Sequence, residues 1–324
     1  MNRQVSQSPS VGEELLYIGE CRATKLVDPY ASPTKPMWQS PIVENIQRQQ
    51  RAYKNFWPYG EVSLFGASET QNSITLWPTL SEKGVGLHIQ YASELRWVFN
   101  QCLPTENLVV NARDLSNHLI QKCIHLNITM TVEHTHQTER INTLAKTLNK
   151  KANVRLQVKL ELIRPEMSPS LGERLRSFAG MKNPSHTHNL LQTGKEILAL
   201  AHIKLNGIHV YCNEAQKTRN IARHMIVLGI FVSKLSKAWG GYQPKELILQ
   251  GRFFKFRPAT STAFFCDHKV FNIELFAQLL LTKFRNTLIK EELKLAGITL
   301  RITYNDAHAN STPYFKQRQQ AQLS

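Results

Sequence analysis

The sequence predicts an α+β protein whose C-terminal half is ferredoxin-like (βαββαβ) and whose N-terminal region is mixed α/β. Three observations lead there. Residues 196–305 alternate extended and helical patterns in the order strand, helix, strand, strand, helix, strand, which is the split βαβ arrangement. Within them, Asn213–Gly241 reads as one long helix. Ile221, Met225, Leu228, Val232, Leu235 and Trp239 draw an apolar stripe along it, and Arg219, Arg223, Lys234 and Lys237 gather opposite. Third, Val154–Ile163 alternates Val154, Leu156, Val158, Leu160 and Leu162 with Arg155, Gln157, Lys159 and Glu161, the period of a strand with one polar face.

Taken in order, residues 1–60 read as an irregular arm broken by Pro9, Pro29, Pro33, Pro36, Pro41 and Pro58, with a short helix at Ile42–Tyr53. Basic and aromatic residues mix over Arg51–Gly60, where Tyr53, Phe56 and Trp57 either stack on bases or anchor the arm to a core. Residues 61–164 form the N-terminal α/β domain. Its strands are expected at Val62–Phe65, Ser73–Trp77, Gly86–Tyr91, Ile124–Val132 and Val154–Ile163, and its helices near Ser93, over 111–122 and over Thr138–Lys150. Residues 165–195 mix Pro, Ser, Gly and Asn as a linker or long loop.

In the domain 196–305, Ile197–Leu205 reads as a strand, Asn206-Gly207 as a turn and Ile208–Tyr211 as extended. Leu247–Arg257 is a strand with Gly251 as a bulge, and Ala263–Phe271 pairs back on it. Asn272 caps a helix over Ile273–Ala296, and Ile298–Tyr304 is the last strand. Residues 306–324 read as a disordered tail.

Composition limits the function. Lys+Arg outnumber Asp+Glu by 40 to 24, giving a net charge of +16, which favours a polyanionic partner. Five cysteines without a C-x-x-C pair argue against a zinc ribbon or a disulfide framework, and fit reduced thiols in a cytoplasmic chain. No apolar run is long enough to span a bilayer, so no membrane partner is expected.

The expected function is therefore a non-enzymatic nucleic-acid-binding subunit of an intracellular nucleoprotein complex, RNA preferred over DNA, with other protein subunits as partners and no cofactor. Its phosphate-holding residues would be Arg219, Arg223, Lys234 and Lys237 on the long helix, Arg252, Lys255 and Arg257 on the strand QGRFFKFR, and Lys150, Lys151, Arg155 and Lys159. Phe254 and Phe256 would stack bases or belong to the core.

Two other classes compete. His134-Thr135-His136, like His186-Thr187-His188, places two histidines on one side of an extended segment, as a metal-dependent nuclease or nickase would require. A protein-interaction subunit would instead turn its basic face to an acidic partner. No G-x-S-x-G or phosphate-loop signature supports other chemistry.

Overall fold

The structure is a computed structural model. It describes residues 17–18, 21–22, 39–67, 78, 80–101, 104–105, 107–159, 184–212, 221–254 and 272–303. Two compact units divide the chain. In the first (residues 1–38 and 308–324), Tyr17–Ile18 and Cys21–Arg22 form an antiparallel ladder. The second, residues 39–307, is built on strands whose two faces both need cover.

Those strands are β1 (Val62–Ala67), β2 (Gly86–Ile89), β3 (Leu108–Asn111), β4 (Met130–Val132), β5 (Ala152–Lys159), β6 (Ile203–Tyr211), β7 (Glu246–Gln250) and β8 (Thr299–Thr303). Each pairs in parallel with its neighbours in sequence, and β8 pairs with both β7 and β1, so the sheet closes into an eight-stranded barrel. Helices fill the connections: α1 (Gln39–Phe56) before β1, then α2 (Ala92–Asn100), α3 (Asn117–His125), α4 (Thr135–Thr147), α5 (Pro184–Ala199), α6 (Ile221–Ala238) and α7 (Ile273–Lys290).

Alternation along the strands sorts side chains between two interiors. Leu64, Leu87, Val110, Val132, Leu156, Val210, Leu249 and Ile302 are buried on the outer side, where the helices cover them. The opposite set faces the lumen. The rings of His88 on β2 and His209 on β6 lie 6.0 Å apart, a contact that only the barrel interior allows for strands on opposite walls. Phe65, Val109 and Ile248, from β1, β3 and β7, form an apolar layer there.

This closed parallel barrel overturns the ferredoxin-like α+β expectation, for two physical reasons. Alternation alone puts the polar face of Val154–Ile163 in solvent, yet Arg155 is only 2% exposed and points into the lumen. Asn206-Gly207 does not turn the chain. It lies inside β6, opposite a register shift between Val154 and Arg155. Gly207 is there for proximity: a Cβ on it would stand 2.2 Å from the Glu246 carbonyl oxygen on β7. Gly207→Ala is expected to cost about 1–3 kcal/mol by forcing β6 and β7 apart, read as a lower midpoint in urea.

Several expected elements shift. Helix 111–122 begins instead at Asn117, where Ser116 Oγ accepts from the Leu119 amide, and it continues to His125, so the strand after it shortens to Met130–Val132. The strand Leu247–Arg257 stops at Gln250. Gly251, at φ +111°, turns it into a 3₁₀ turn over Arg252–Phe254. Ile197 lies in the last turn of α5, which ends at Ala199, and the strand expected from Ile197 starts only at Ile203. Ser73–Trp77, 160–163, Asn213–Asn220, 263–271 and the tail 306–324 lie outside the described residues.

The N-terminal aromatics take the anchoring role. Tyr53 and Trp57 are buried, and the Trp57 indole donates to the Ile298 carbonyl at 3.0 Å and stacks on Phe284 of α7. Asn272 caps α7 as expected, its side chain accepting from the Leu275 amide at 2.8 Å.

Candidate small-molecule site at the mouth of the barrel

In barrels of this architecture the reactive end is the C-terminal one, where the strands hand over to their following loops. Here that end has a floor and a rim. The floor is a hydrogen-bonded row across the lumen. Thr131 Oγ1 lies 3.3 Å from His209 Nδ1, His209 Nε2 lies 2.6 Å from the Gln250 side-chain oxygen, and the Gln250 amide nitrogen lies 2.9 Å from His88 Nδ1. With its oxygen toward His209 and its nitrogen toward His88, Gln250 needs a proton on His209 Nε2 and none on His88 Nδ1. The His88 imidazole is thus neutral. Burial and the nearby Arg155 charge push His88 down to about 4, and burial, His88 and Arg155 drive His209 well below the ordinary imidazole value.

Beneath the floor, Glu246 on β7 lies between two arginines. Arg301 of β8 hydrogen-bonds to one carboxylate oxygen, and Arg155 Nε of β5 stands 3.0 Å from the other. The latter contact is close enough for an ion pair but is not directed as a hydrogen bond, and Arg155 Nη1 has no hydrogen-bond partner among the described residues. Burial lowers the Arg155 guanidinium to about 10 despite the facing carboxylate.

The rim repeats this pattern. Glu133, just past β4, lies 2.7 Å from Arg113 Nη2 and 2.5 Å from Lys159 Nζ at the end of β5. Its place is fixed locally: the Gln137 side chain in the first turn of α4 accepts from the Glu133 amide at 2.7 Å and the His134 amide at 3.2 Å. Burial raises the Glu133 carboxyl, but Lys159 and Arg113 together outweigh it and hold the group below its ordinary value. One carboxylate between two cations leaves this trio with a surplus positive charge.

The residues singled out from sequence are scattered by the fold. Arg155 and Lys159 join the lumen and the rim, each facing a carboxylate. Lys150 and Lys151 are exposed just before β5, at the opposite end of the barrel. Arg223, Lys234 and Lys237 are exposed on α6, Lys237 beside Glu291 at 3.4 Å. Phe254 is buried, as the core alternative had it. Arg252 is described only through its backbone, and Arg219, Lys255, Phe256 and Arg257 lie outside the described residues. His134 and His136 are exposed at the start of α4, their rings stacked at 5.5 Å. Among the described residues no cluster of three or more His, Cys, Asp or Glu is placed to hold a metal. His186 and His188 fall in α5, where their side chains are not described.

Sequence reasoning does not single out Glu133, Arg113, His88, His209, Gln250 or Thr131 as a site. Their signal is a lone polar residue inside an apolar strand: Leu87-His88-Ile89, Ile208-His209-Val210, Leu249-Gln250.

An eight-stranded parallel barrel with a charged lumen defines the class: a (β/α)-barrel protein with its site at the strand ends. The family emerges from sequence. Residues 43–231, more than half of the chain, match the pyridoxal-binding domain of the pyridoxal-dependent decarboxylases, and the chain belongs to that family. Solved structures agree in fold. Diaminopimelate decarboxylase from M. jannaschii in complex with L-lysine is 15% identical at a TM-score of 0.58, covering 82% of this chain and 60% of its own. The Helicobacter pylori diaminopimelate decarboxylase with L-lysine is 14% identical (TM-score 0.55, 81% and 61%). Arginine decarboxylase of Paramecium bursaria Chlorella virus is 12% identical (TM-score 0.55, 83% and 63%). The chain thus spans about three fifths of the length of these proteins. No curated protein matches it by sequence.

Family membership overturns the expectation of a non-enzymatic RNA- or DNA-binding subunit with nucleic acid as its partner. The alternatives of a His-x-His nuclease and a protein-interaction subunit give way to the same finding. The charge argument misled because part of the excess is internal: Arg155 and Arg301 serve Glu246 inside the barrel, and Arg113 and Lys159 serve Glu133 at its mouth. Among the described residues no helix is long and apolar enough to cross a membrane.

The family implies pyridoxal phosphate, which enzymes hold through a lysine amine bonded to its aldehyde carbon and a charged partner at its ring nitrogen. Lys159 is the one lysine that the described residues bring to the C-terminal end of a strand, and its nitrogen is the donor in the contact with Glu133. The segment after β1, residues 68–77, contains no lysine. The interior carboxylate, Glu246, is committed to two arginines. The described residues therefore do not fit a covalently held pyridoxal phosphate.

Proposed function

We propose that the C-terminal mouth of this barrel is a small-molecule site selecting an anionic ligand, with an α-amino acid bearing a free carboxylate as its first candidate. The observation that carries this reading is the rim: Arg113 and Lys159 share one carboxylate, Glu133, above a neutral floor of His88, Gln250 and His209. A ligand carboxylate or phosphate supplies the missing negative charge, in a cleft where low-dielectric walls strengthen the attraction. The neutral floor offers hydrogen bonds without a competing charge. The two diaminopimelate decarboxylases that share the fold are complexed with L-lysine, which makes L-lysine the ligand to try first.

Titration calorimetry and thermal shift with L-lysine, L-arginine, diaminopimelate and inorganic phosphate test the proposal. A binder at a hundredfold its Kd should stabilise the fold by about 2.7 kcal/mol. Arg113→Gln, which removes a cation 54% exposed, should weaken binding about tenfold, or about 1.4 kcal/mol. No heat and no shift with any of these ligands would sink the reading. A second reading, amino-acid decarboxylation, is favoured by family membership alone. Release of carbon dioxide from the same amino acids, with pyridoxal phosphate supplied, would establish it.

A further inference from the structure

We infer that Glu133 withholds Lys159 from covalent bonding to pyridoxal phosphate, so that the mouth of this barrel takes phosphate- and carboxylate-bearing ligands non-covalently. The inference rests on the mouth being the ligand site and adds how the ligand is held there. To bond, a lysine nitrogen must turn its lone pair on the aldehyde carbon; the nitrogen adds, and the carbonyl oxygen leaves as water. At Lys159 the nitrogen instead donates to Glu133 at 2.5 Å.

The clamp is built, not incidental. The Glu133 side chain is only 7% exposed, whereas that of Lys159 is 47% exposed, so the carboxylate is the fixed member and the lysine comes to it. The Glu133 backbone is pinned by Gln137, and Arg113 grips the carboxylate with one nitrogen, 2.7 Å from one oxygen and 2.9 Å from the other. The Lys159 nitrogen is thus directed at a carboxylate that is itself held from two other sides.

The test is reduction with borohydride. The full chain is mixed with pyridoxal phosphate, treated with borohydride to fix any carbon–nitrogen double bond as a secondary amine, digested and mapped by mass spectrometry. Wild type should carry no phosphopyridoxyl group at the mouth, and no absorbance of a lysine-bound cofactor should develop. Glu133→Gln removes the counter-charge while keeping the side chain's size, and an adduct on Lys159 should then appear. It should vanish again in Glu133→Gln/Lys159→Arg. Arg113→Gln also alters the charge of the rim but leaves the clamp on Lys159, and it should give no adduct. Circular dichroism checks that each variant is folded.

A stoichiometric adduct in wild type, on Lys159 or on Lys182, Lys217, Lys255 or Lys269 of the segments that follow β5, β6 and β7 in sequence, would overturn the inference, and a folded Glu133→Gln variant without adduct would remove Glu133 as the restraint. Calorimetry with L-lysine on the same wild-type protein reports separately on the ligand reading. Its failure there would be seen as absent heat, whatever the adduct map shows.

Discussion

Glu246→Ala is expected to destabilise the barrel by about 3–5 kcal/mol, the cost of stripping a buried ion pair of one partner. Glu246 joins three strands: its own β7, β8 through Arg301 and β5 through Arg155. Without it, Arg155 stays at 2% exposure with a positive charge and no counter-charge among the described lumen residues. Losing one hydrogen bond would cost about 1 kcal/mol, so the size of the effect separates the two accounts. The triple replacement Glu246→Leu/Arg155→Met/Arg301→Met should recover much of the loss, because apolar side chains of similar volume often replace a buried ionic triad without penalty. Urea unfolding of the three proteins measures this. A loss below about 1 kcal/mol in Glu246→Ala would mean that water reaches Arg155.

The second large effect is with pH. His88 has a folded value near 4 against an ordinary 6.5, and His209 is lowered still more firmly by burial. The folded state excludes protons that the unfolded state binds, so stability must fall as pH drops below about 6.5. For His88 alone, at about 1.4 kcal/mol per pH unit, the loss by pH 4 is about 3 kcal/mol. His209 adds a loss of the same sign. Glu133, held below its ordinary value of 4.5, adds a loss of the same sign that begins only as the pH falls below that value, where the unfolded carboxyl takes up a proton that the folded one refuses. Denaturant midpoints between pH 7 and pH 4 should therefore slope downward with an uptake of more than one proton on unfolding. His88→Asn should flatten that slope by about one proton. A flat profile above pH 5 would show that the imidazoles are hydrated.

Much of the barrel is legible as elements and little of it as a fold. The segments 62–65, 86–89 and 154–159 declare themselves as strands by composition and alternation, and Ile273 with its Asn272 cap as the start of a helix. What periodicity cannot carry is which side of a strand is wet. Val154-Arg155-Leu156-Gln157-Val158-Lys159 has the same alternation whether its polar face meets solvent or a barrel lumen. Asn206-Gly207 has the composition of a hairpin turn, but here the glycine serves the approach of Glu246, a contact 39 residues away that no local rule contains. The site suffers from the same cause. Arg155 and Lys159 stand out by their charge, whereas Glu133 and Glu246, which decide what that charge does, lie far from Arg155 and Lys159 in sequence. His88 and His209, opposite walls of one lumen, are 121 residues apart and carry no shared motif.

The seam between β8 and β1 has a kinetic meaning. Gly297 and Leu300 donate to the carbonyls of Tyr59 and Glu61, each at 2.8 Å, and Trp57 reaches Ile298 from the same side. Each of these contacts joins residues some 240 positions apart. During synthesis β1 therefore leaves the ribosome with one edge open and waits for nearly the whole barrel before its last neighbour arrives. Contacts of such sequence separation slow folding, and an unpaired strand edge in the interval is a surface for self-association. A chain ending after Lys290 would keep both β1 and β7 as open edges, and it should populate aggregates where the longer chain refolds.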